Sequence, residues 1–363
     1  MDHSVFIFDL HNTLYDEVME YGLAMRDAMD FILETAQKQG TNLSHETLAK
    51  DIENAHRASM SDWDNRIWAS LPCLQDIKAA SGDIDDFTNA IITRRKKRSK
   101  DETRKTQYKQ TIAAIRTLKD DGHSVYLATE GTENAVSEAL IWLDIDALFD
   151  GIYCRPFEHD RAAIKTRAFY PDPVLPDIAL EKPNALIIGQ IILDHAKQHH
   201  AIAPHTTWQD VFSLQQNNAT DDLAITIPDA QSQAHLASMQ RAITSHLTLN
   251  KSDAAPILKT LLSKSWFIGD SFFKDGLMAA NANVNFIHAA YGKKCQSDRE
   301  GDFKVAKKTL MDVTGWDKSV MQMTQEAEKI PALESRINTA YVCENSLQDF
   351  IDSPLYQKES TAS

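Results

Sequence analysis

The chain has 363 residues, 43% of them hydrophobic and 25% charged, which is enough apolar side chain to bury one large core or two modest ones. Its formal net charge of −14 sets it against polyphosphate and anionic lipid, so nucleic acid and membrane are excluded as general partners and a small-molecule substrate is expected. Four cysteines, Cys73, Cys154, Cys295 and Cys343, stand far apart with no CxxC pair, which argues for neither a zinc site nor a disulfide framework and fits a reducing compartment.

The first element is an apolar run, Val5 to Phe8, that ends on Asp9. A buried parallel strand reads this way when it delivers a carboxylate to a site. The opening "MDHSVFIFDLHNTLYDE" has no basic start, its apolar run is too short for a signal peptide, and no later segment approaches a membrane span, so the chain reads as cytoplasmic. Residues 15 to 92 are helical in pattern, the first helix stopping at Gly40. The run "RRKKRSKDETRK", 94 to 105, is a solvated charged helix between two lobes or, less economically, a phosphate-steering patch or address signal.

From Gln110 an amphipathic helix closes at Gly122 and is followed by a strand ending at Thr129. Short apolar runs then recur as "GIYC" from Gly151, "WFIG" from Trp266, "VNFIHA" from Val284 and "AYVC" from Ala340, alternating with helical stretches. This rhythm predicts an α/β fold, a doubly wound parallel sheet with ligands gathered beyond the carboxyl ends of its strands. Residues 200–253, rich in Gln, Asn, Thr and Ala, and 293–337, polar and helical in pattern, break the rhythm and are expected outside the sheet. The tail "YQKESTAS" is expected to lack order.

A second acidic strand end follows Trp266, where "WFIGDSFFKDG" carries Asp270 and Asp275 at a strand-to-helix turn. Hard cations such as Mg²⁺ take oxygen ligands and are commonly held by one or two carboxylates together with water and substrate phosphate, so Asp270 is a candidate ligand and Asp275 could orient metal-bound water. The structural alternative is that Asp270 and Ser271 only cap the next helix.

The segments "FDLHNTL", "VYLATEG", "EKPNAL" and "FIGDSFFKD" occur in the order found in the haloacid dehalogenase-like (HAD) superfamily of hydrolases, and the chain resembles that family. The resemblance covers about 1–15 and 106–292, with "TAYVCENSLQDFIDS" (about 338–352) as a final strand and helix, and it implies a core of those residues with a helical cap over 16–105. It implies Asp9 as nucleophile, Thr129 and Lys182 as groups steadying phosphoryl oxygens, Glu130 and Gly131 beside the substrate, and Mg²⁺ held by Asp9, the His11 backbone carbonyl, Asp270 and Asp275. Thr13 would serve as a structural hydrogen bonder in the turn. Lys182 lies far upstream of Asp270 for this family, which leaves Lys251 in "NKSDAAPILK" as the competing lysine.

One residue departs from the family pattern. Where the phosphatases carry a second aspartate that protonates the leaving oxygen, this chain has His11. Imidazole can do that work near neutral pH. Members acting on carbon centres or phosphonates also lack the aspartate. The sequence therefore supports a Mg²⁺-dependent phosphatase of a small phosphorylated metabolite, with a carbon-centred hydrolase and a non-catalytic binding protein as alternatives.

Overall fold

The computed structural model describes residues 4–59, 66–75, 77, 84–155, 182, 184–216, 245–294, 297–314, 337 and 339–361. Its strands in chain order are β1 (Val5–Phe8), β2 (Ser124–Thr132), β3 (Gly151–Arg155), β4 (Phe212–Gln216), β5 (Ser245–Leu249), β6 (Ser265–Gly269), β7 (Asn285–Ala289) and β8 (Thr339–Cys343). Six of them form a sheet in the order β3-β2-β1-β6-β7-β8, every neighbouring pair parallel. The order runs outward from β1 in both directions, so the chain switches sides between β1 and β6. A crevice opens at the carboxyl ends of two strands where such a reversal occurs.

Strand alternation explains why both faces are covered. Phe6, Phe8, Val125, Leu127, Trp266 and Ile268 point to one face, where they pack with Ile112 and Ile115 of helix Lys109–Asp120 and Val136 and Leu140 of helix Glu133–Leu143. The alternate residues Tyr126 and Tyr153 point to the other face, where their hydroxyls meet His195 Nδ1 at 3.1 Å and Asp194 Oδ2 at 2.9 Å on helix Leu186–His199. The architecture is therefore a doubly wound α/β sheet, as the alternation of apolar runs predicts.

The described residues within Met1–Tyr15, Tyr108–Lys294 and Met323–Ser363 form one compact unit, built on the sheet. Those within Asp16–Gln107 and Cys295–Gln322 form the other, which is helical. In the helical unit, helix Glu17–Lys38 is capped by Asp16, whose side chain accepts the Met19 N–H at 2.9 Å. It buries Met25, Met29 and Ile32 against Ile52, Trp68, Ile91 and Val313. The charged run lies in helix Ile84–Lys105 of the same unit. Its Glu102 is fully buried and accepts from Arg98 at 3.1 Å, Lys105 at 3.2 Å and Arg299 at 2.7 Å, while Arg94 forks onto Asp27 at 2.8 and 3.0 Å. Arg94, Arg98 and Lys105 of the run thus pair with carboxylates.

Two features differ from the expectations, the end of β2 and the order of the chain end. β2 continues past Thr129 to Thr132, with a register shift against β3 between Ala128 and Thr132. The chain end is helical from Pro354 to Thr361, because Tyr356 is buried against Phe350 and His123 and its hydroxyl reaches Asp121. Helix Glu300–Thr314, from the 293–337 stretch, belongs with the helical unit through Ala306 and Val313. From the 200–253 stretch, β4 and β5 pair antiparallel as a separate two-stranded sheet, while 217–244 lie outside the described residues.

Candidate active site

Asp9 is the first residue beyond β1, and its N–H donates to the Ile268 carbonyl at 2.8 Å, so the two central strands end in register at the switch point. Its side chain is buried, and so is that of Lys182, whose Nζ lies 2.6 Å from Asp9 Oδ1 and 2.7 Å from Asp275 Oδ1. The carboxylates of Asp9, Asp270 and Asp275 each offer an oxygen, all within 4.8 Å of one another. Residues from three separate segments of the sequence thus meet at one point.

The β6 turn is shaped by close packing. A Cβ on Gly269 would sit 2.1 Å from Asp275 Oδ2, so only glycine lets that carboxylate fold back over the strand end. Asp275 Oδ2 accepts the Ser271 N–H at 3.0 Å, and Ser271 Oγ accepts the Lys274 N–H at 3.1 Å. Ser271 therefore supplies the polar contact to the start of helix Lys274–Ala282, and Asp270 faces the carboxylate cluster instead. The Asp270 carbonyl accepts from His288 Nε2 at 3.1 Å.

Burial and the neighbouring Asp275 and Asp9 carboxylates hold the Asp270 carboxyl well above the usual carboxylate range. Burial likewise pushes Asp275 up to about 6, against the pull of the Lys182 ammonium. Lys182 is raised above the ordinary lysine value, since Asp275 and Asp9 outweigh the cost of burying it. Three carboxylates thus face one ammonium group. Fully ionised, the three carboxylates would exceed the ammonium by two negative charges on hard oxygen donors, so the raised carboxyls and their grouping fit a divalent cation such as Mg²⁺ that would hold them ionised.

The other predicted residues fall into two groups. Thr129 is buried, and its Oγ1 accepts the Gly131 N–H at 3.3 Å. A Cβ on Gly131 would lie 3.2 Å from His11 Cε1 and 3.7 Å from Thr129 Oγ1, which places the imidazole and the hydroxyl both beside this glycine. The His11 ring also meets Tyr15 edge-on at 5.8 Å. Glu130 accepts the Lys182 N–H at 2.9 Å and pairs with Lys274 Nζ at 3.1 Å. Lys251, by contrast, is exposed in the bend after β5.

Thr13 corrects the sequence reading. Its hydroxyl is buried with no hydrogen-bond partner among the described residues, and the structural contact runs instead from Tyr291 Oη to the Thr13 carbonyl at 3.0 Å. Lys274 and His288 carry no motif that marks them as site residues in the sequence. Lys274 directly precedes Asp275, an adjacency that is its one signal in the sequence; His288 reaches the site because β7 lies beside β6.

No family model and no curated protein sequence matches the chain. Among solved structures it is similar to YfnB of Bacillus subtilis, named as a HAD-hydrolase and bound to magnesium, at 10% identity and a TM-score of 0.40, covering 97% of this chain and 98% of that one. It is also similar to a protein of Clostridium difficile named as a phosphatase, at 12% identity, TM-score 0.39, covering 97% and 99%. A third is a 2-haloacid dehalogenase of Pseudomonas syringae, at 14% identity, TM-score 0.37, covering 86% and 99%. At these values the likenesses are distant.

Proposed function

We propose that the chain is a Mg²⁺-dependent hydrolase of phosphate monoesters of small molecules, with Asp9 as nucleophile. The observation that carries this reading is the buried Lys182 bridging Asp9 and Asp275 at 2.6 and 2.7 Å, with Asp270 alongside, at the switch point of a parallel sheet. A parallel α/β sheet places its ligands there, and a nucleophilic carboxylate, a fixed ammonium and a divalent-ion site are the groups phosphoryl transfer needs.

In this reading Asp9 attacks phosphorus in line, an Asp9 O–P bond forms as the bond to the leaving oxygen breaks, and protonated His11 gives its proton to that oxygen. Water then attacks the aspartyl-phosphate, His11 takes the water's proton, and inorganic phosphate leaves with Asp9 restored. Lys182 and the Thr129 hydroxyl steady the equatorial phosphoryl oxygens. Mg²⁺, when bound by Asp9, Asp270, Asp275 and the His11 carbonyl, neutralises the repulsion between carboxylate and phosphate. The helical unit has the place in the chain of a substrate-selecting cap.

A panel of phosphate esters with and without Mg²⁺, run beside a haloacid, tests the reading. Ester turnover that requires Mg²⁺ and is abolished in Asp9→Asn is the expected result, since an amide of nearly equal size is a poor nucleophile. Substantial turnover by purified Asp9→Asn would sink the covalent mechanism. Metal-independent turnover of the haloacid would replace it with carbon-centred hydrolysis, and no turnover of any substrate would favour a binding protein.

A further inference from the structure

The phosphoryl-transfer chemistry accounts for Lys182 but not for what holds it in place, nor for a second, half-buried lysine nearby. Glu130 follows Thr129 at the end of β2 and is the group where these two questions meet. One of its oxygens, Oε1, accepts the backbone N–H of Lys182 at 2.9 Å. The other, Oε2, pairs with Lys274 Nζ at 3.1 Å, at the first residue of the helix that also carries Asp275.

We propose that the Glu130–Lys274 pair is a positioning device for the phosphoryl-binding lysine: Glu130 fixes the main chain of Lys182, and Lys274 neutralises Glu130 so that it neither captures the Lys182 ammonium nor repels an anionic substrate. The inference rests on the phosphoryl-transfer reading of the site. It follows from geometry, because a single carboxylate ties together three segments, the end of β2, the approach to helix Leu186–His199 and the turn after β6. It follows also from charge. Although burial alone would raise the Glu130 carboxyl, Lys274 and then Lys182 hold it down to about 2, so it is an anion throughout the working pH range. An uncompensated anion a few ångströms from Lys182 would compete with substrate phosphate for the same ammonium. Lys274 is therefore a partner of Glu130 that acts on substrate through it, and neither residue needs to touch the reacting atoms.

The test uses the full chain, with orthovanadate as a phosphoryl probe in the presence of Mg²⁺, and with Mg²⁺ alone as the control ligand. Lys274→Met, which leaves Glu130 unpaired, and Glu130→Ala, which removes the tie, are each expected to weaken vanadate binding about tenfold while Mg²⁺ affinity stays within about twofold. The double variant Glu130→Gln with Lys274→Met keeps an acceptor for the Lys182 N–H and leaves no unpaired charge, so vanadate affinity should recover to within about threefold. This recovery keeps the proposal testable if Glu130→Ala fails to fold. Vanadate affinity unchanged in Lys274→Met, or lost in parallel with Mg²⁺ affinity and melting temperature and not restored in the double variant, would overturn the proposal. An unmodified protein that binds Mg²⁺ but no vanadate would instead overturn the phosphoryl-transfer reading beneath it.

Discussion

Imidazole is bulkier than carboxylate, and the room for it at position 11 comes from a neighbour that has no side chain. A methyl group on Gly131 would stand 2.9 Å from Val136 Cγ2 as well as 3.2 Å from His11 Cε1. Gly131→Ala is therefore expected to cost about 1–3 kcal/mol by overpacking and to displace the imidazole, lowering kcat roughly tenfold with little change in KM. Chemical denaturation beside steady-state kinetics measures both. His11 itself separates by leaving group. If it is the acid, His11→Ala lowers kcat far more on an alkyl phosphate than on a nitrophenyl phosphate, within the 10²- to 10⁴-fold typical of general acid–base catalysis. If it is a weakened substitute for aspartate, His11→Asp raises kcat by about tenfold or more on the alkyl ester. Equal effects on both esters would remove His11 from proton transfer.

At the scale of elements, the entrance to helix Glu17–Lys38 carries a pH dependence that can be worked out. Asp16 caps that helix and is buried, and burial raises its carboxyl from 3.8 to about 6 despite the Met19 and Val18 N–H groups. Its folded pKa lies above the unfolded one, so the folded state binds the proton more tightly. Stability is favoured below about 4 and is lost as pH rises toward 6, by on the order of 2–3 kcal/mol. Asp16→Asn keeps the cap and removes the titration, so the variant should be more stable than the unmodified protein at pH 7 and lose that advantage near pH 3.5. Melting curves across this range check it; a constant difference would place the titration elsewhere.

These elements also show what a sequence can and cannot reveal. β1 and β6 are legible because an apolar run that stops on a carboxylate reports both burial and a site with no information from elsewhere in the chain. Lys182 is not decidable that way: its claim against Lys251 depends on which lysine reaches Asp9 and Asp275, and that depends on how helix Leu186–His199 returns the chain to the sheet. The membership of helix Glu300–Thr314 in the helical unit is hidden for the same reason, since Ala306 meets Met19 and Leu23 from nearly the other end of the sequence. Thr132 as the end of β2 is hidden by the register shift against β3, which ordinary strand patterning does not encode.

For the whole molecule, metal binding and stability are linked. A cation that binds only the folded chain stabilises it by about RT ln(1 + [L]/Kd), roughly 2.7 kcal/mol at a hundredfold excess over Kd. Mg²⁺ should therefore raise the melting temperature of the unmodified protein, and Asp270→Asn should remove most of the rise. An equal rise in both would place the cation away from Asp9, Asp270 and Asp275. No described helix is long and apolar enough to cross a membrane.

The central place of β1 has a consequence in time. A ribosome delivers β1 well before one of its two sheet neighbours, β6, which begins at Ser265, and the last carboxylate of the cluster is Asp275. At about 5–20 residues per second, on the order of tens of seconds pass between synthesis of Asp9 and of Asp275. Until β6 is made, Val5–Phe8 can pair at most on the β2 side, and only once Ser124–Thr132 has been made, leaving an apolar strand with an open edge on the nascent chain. Fragments that stop before Ser265 should accordingly aggregate, and a nascent chain of this protein should be a client of whatever factors shield exposed strand edges during translation.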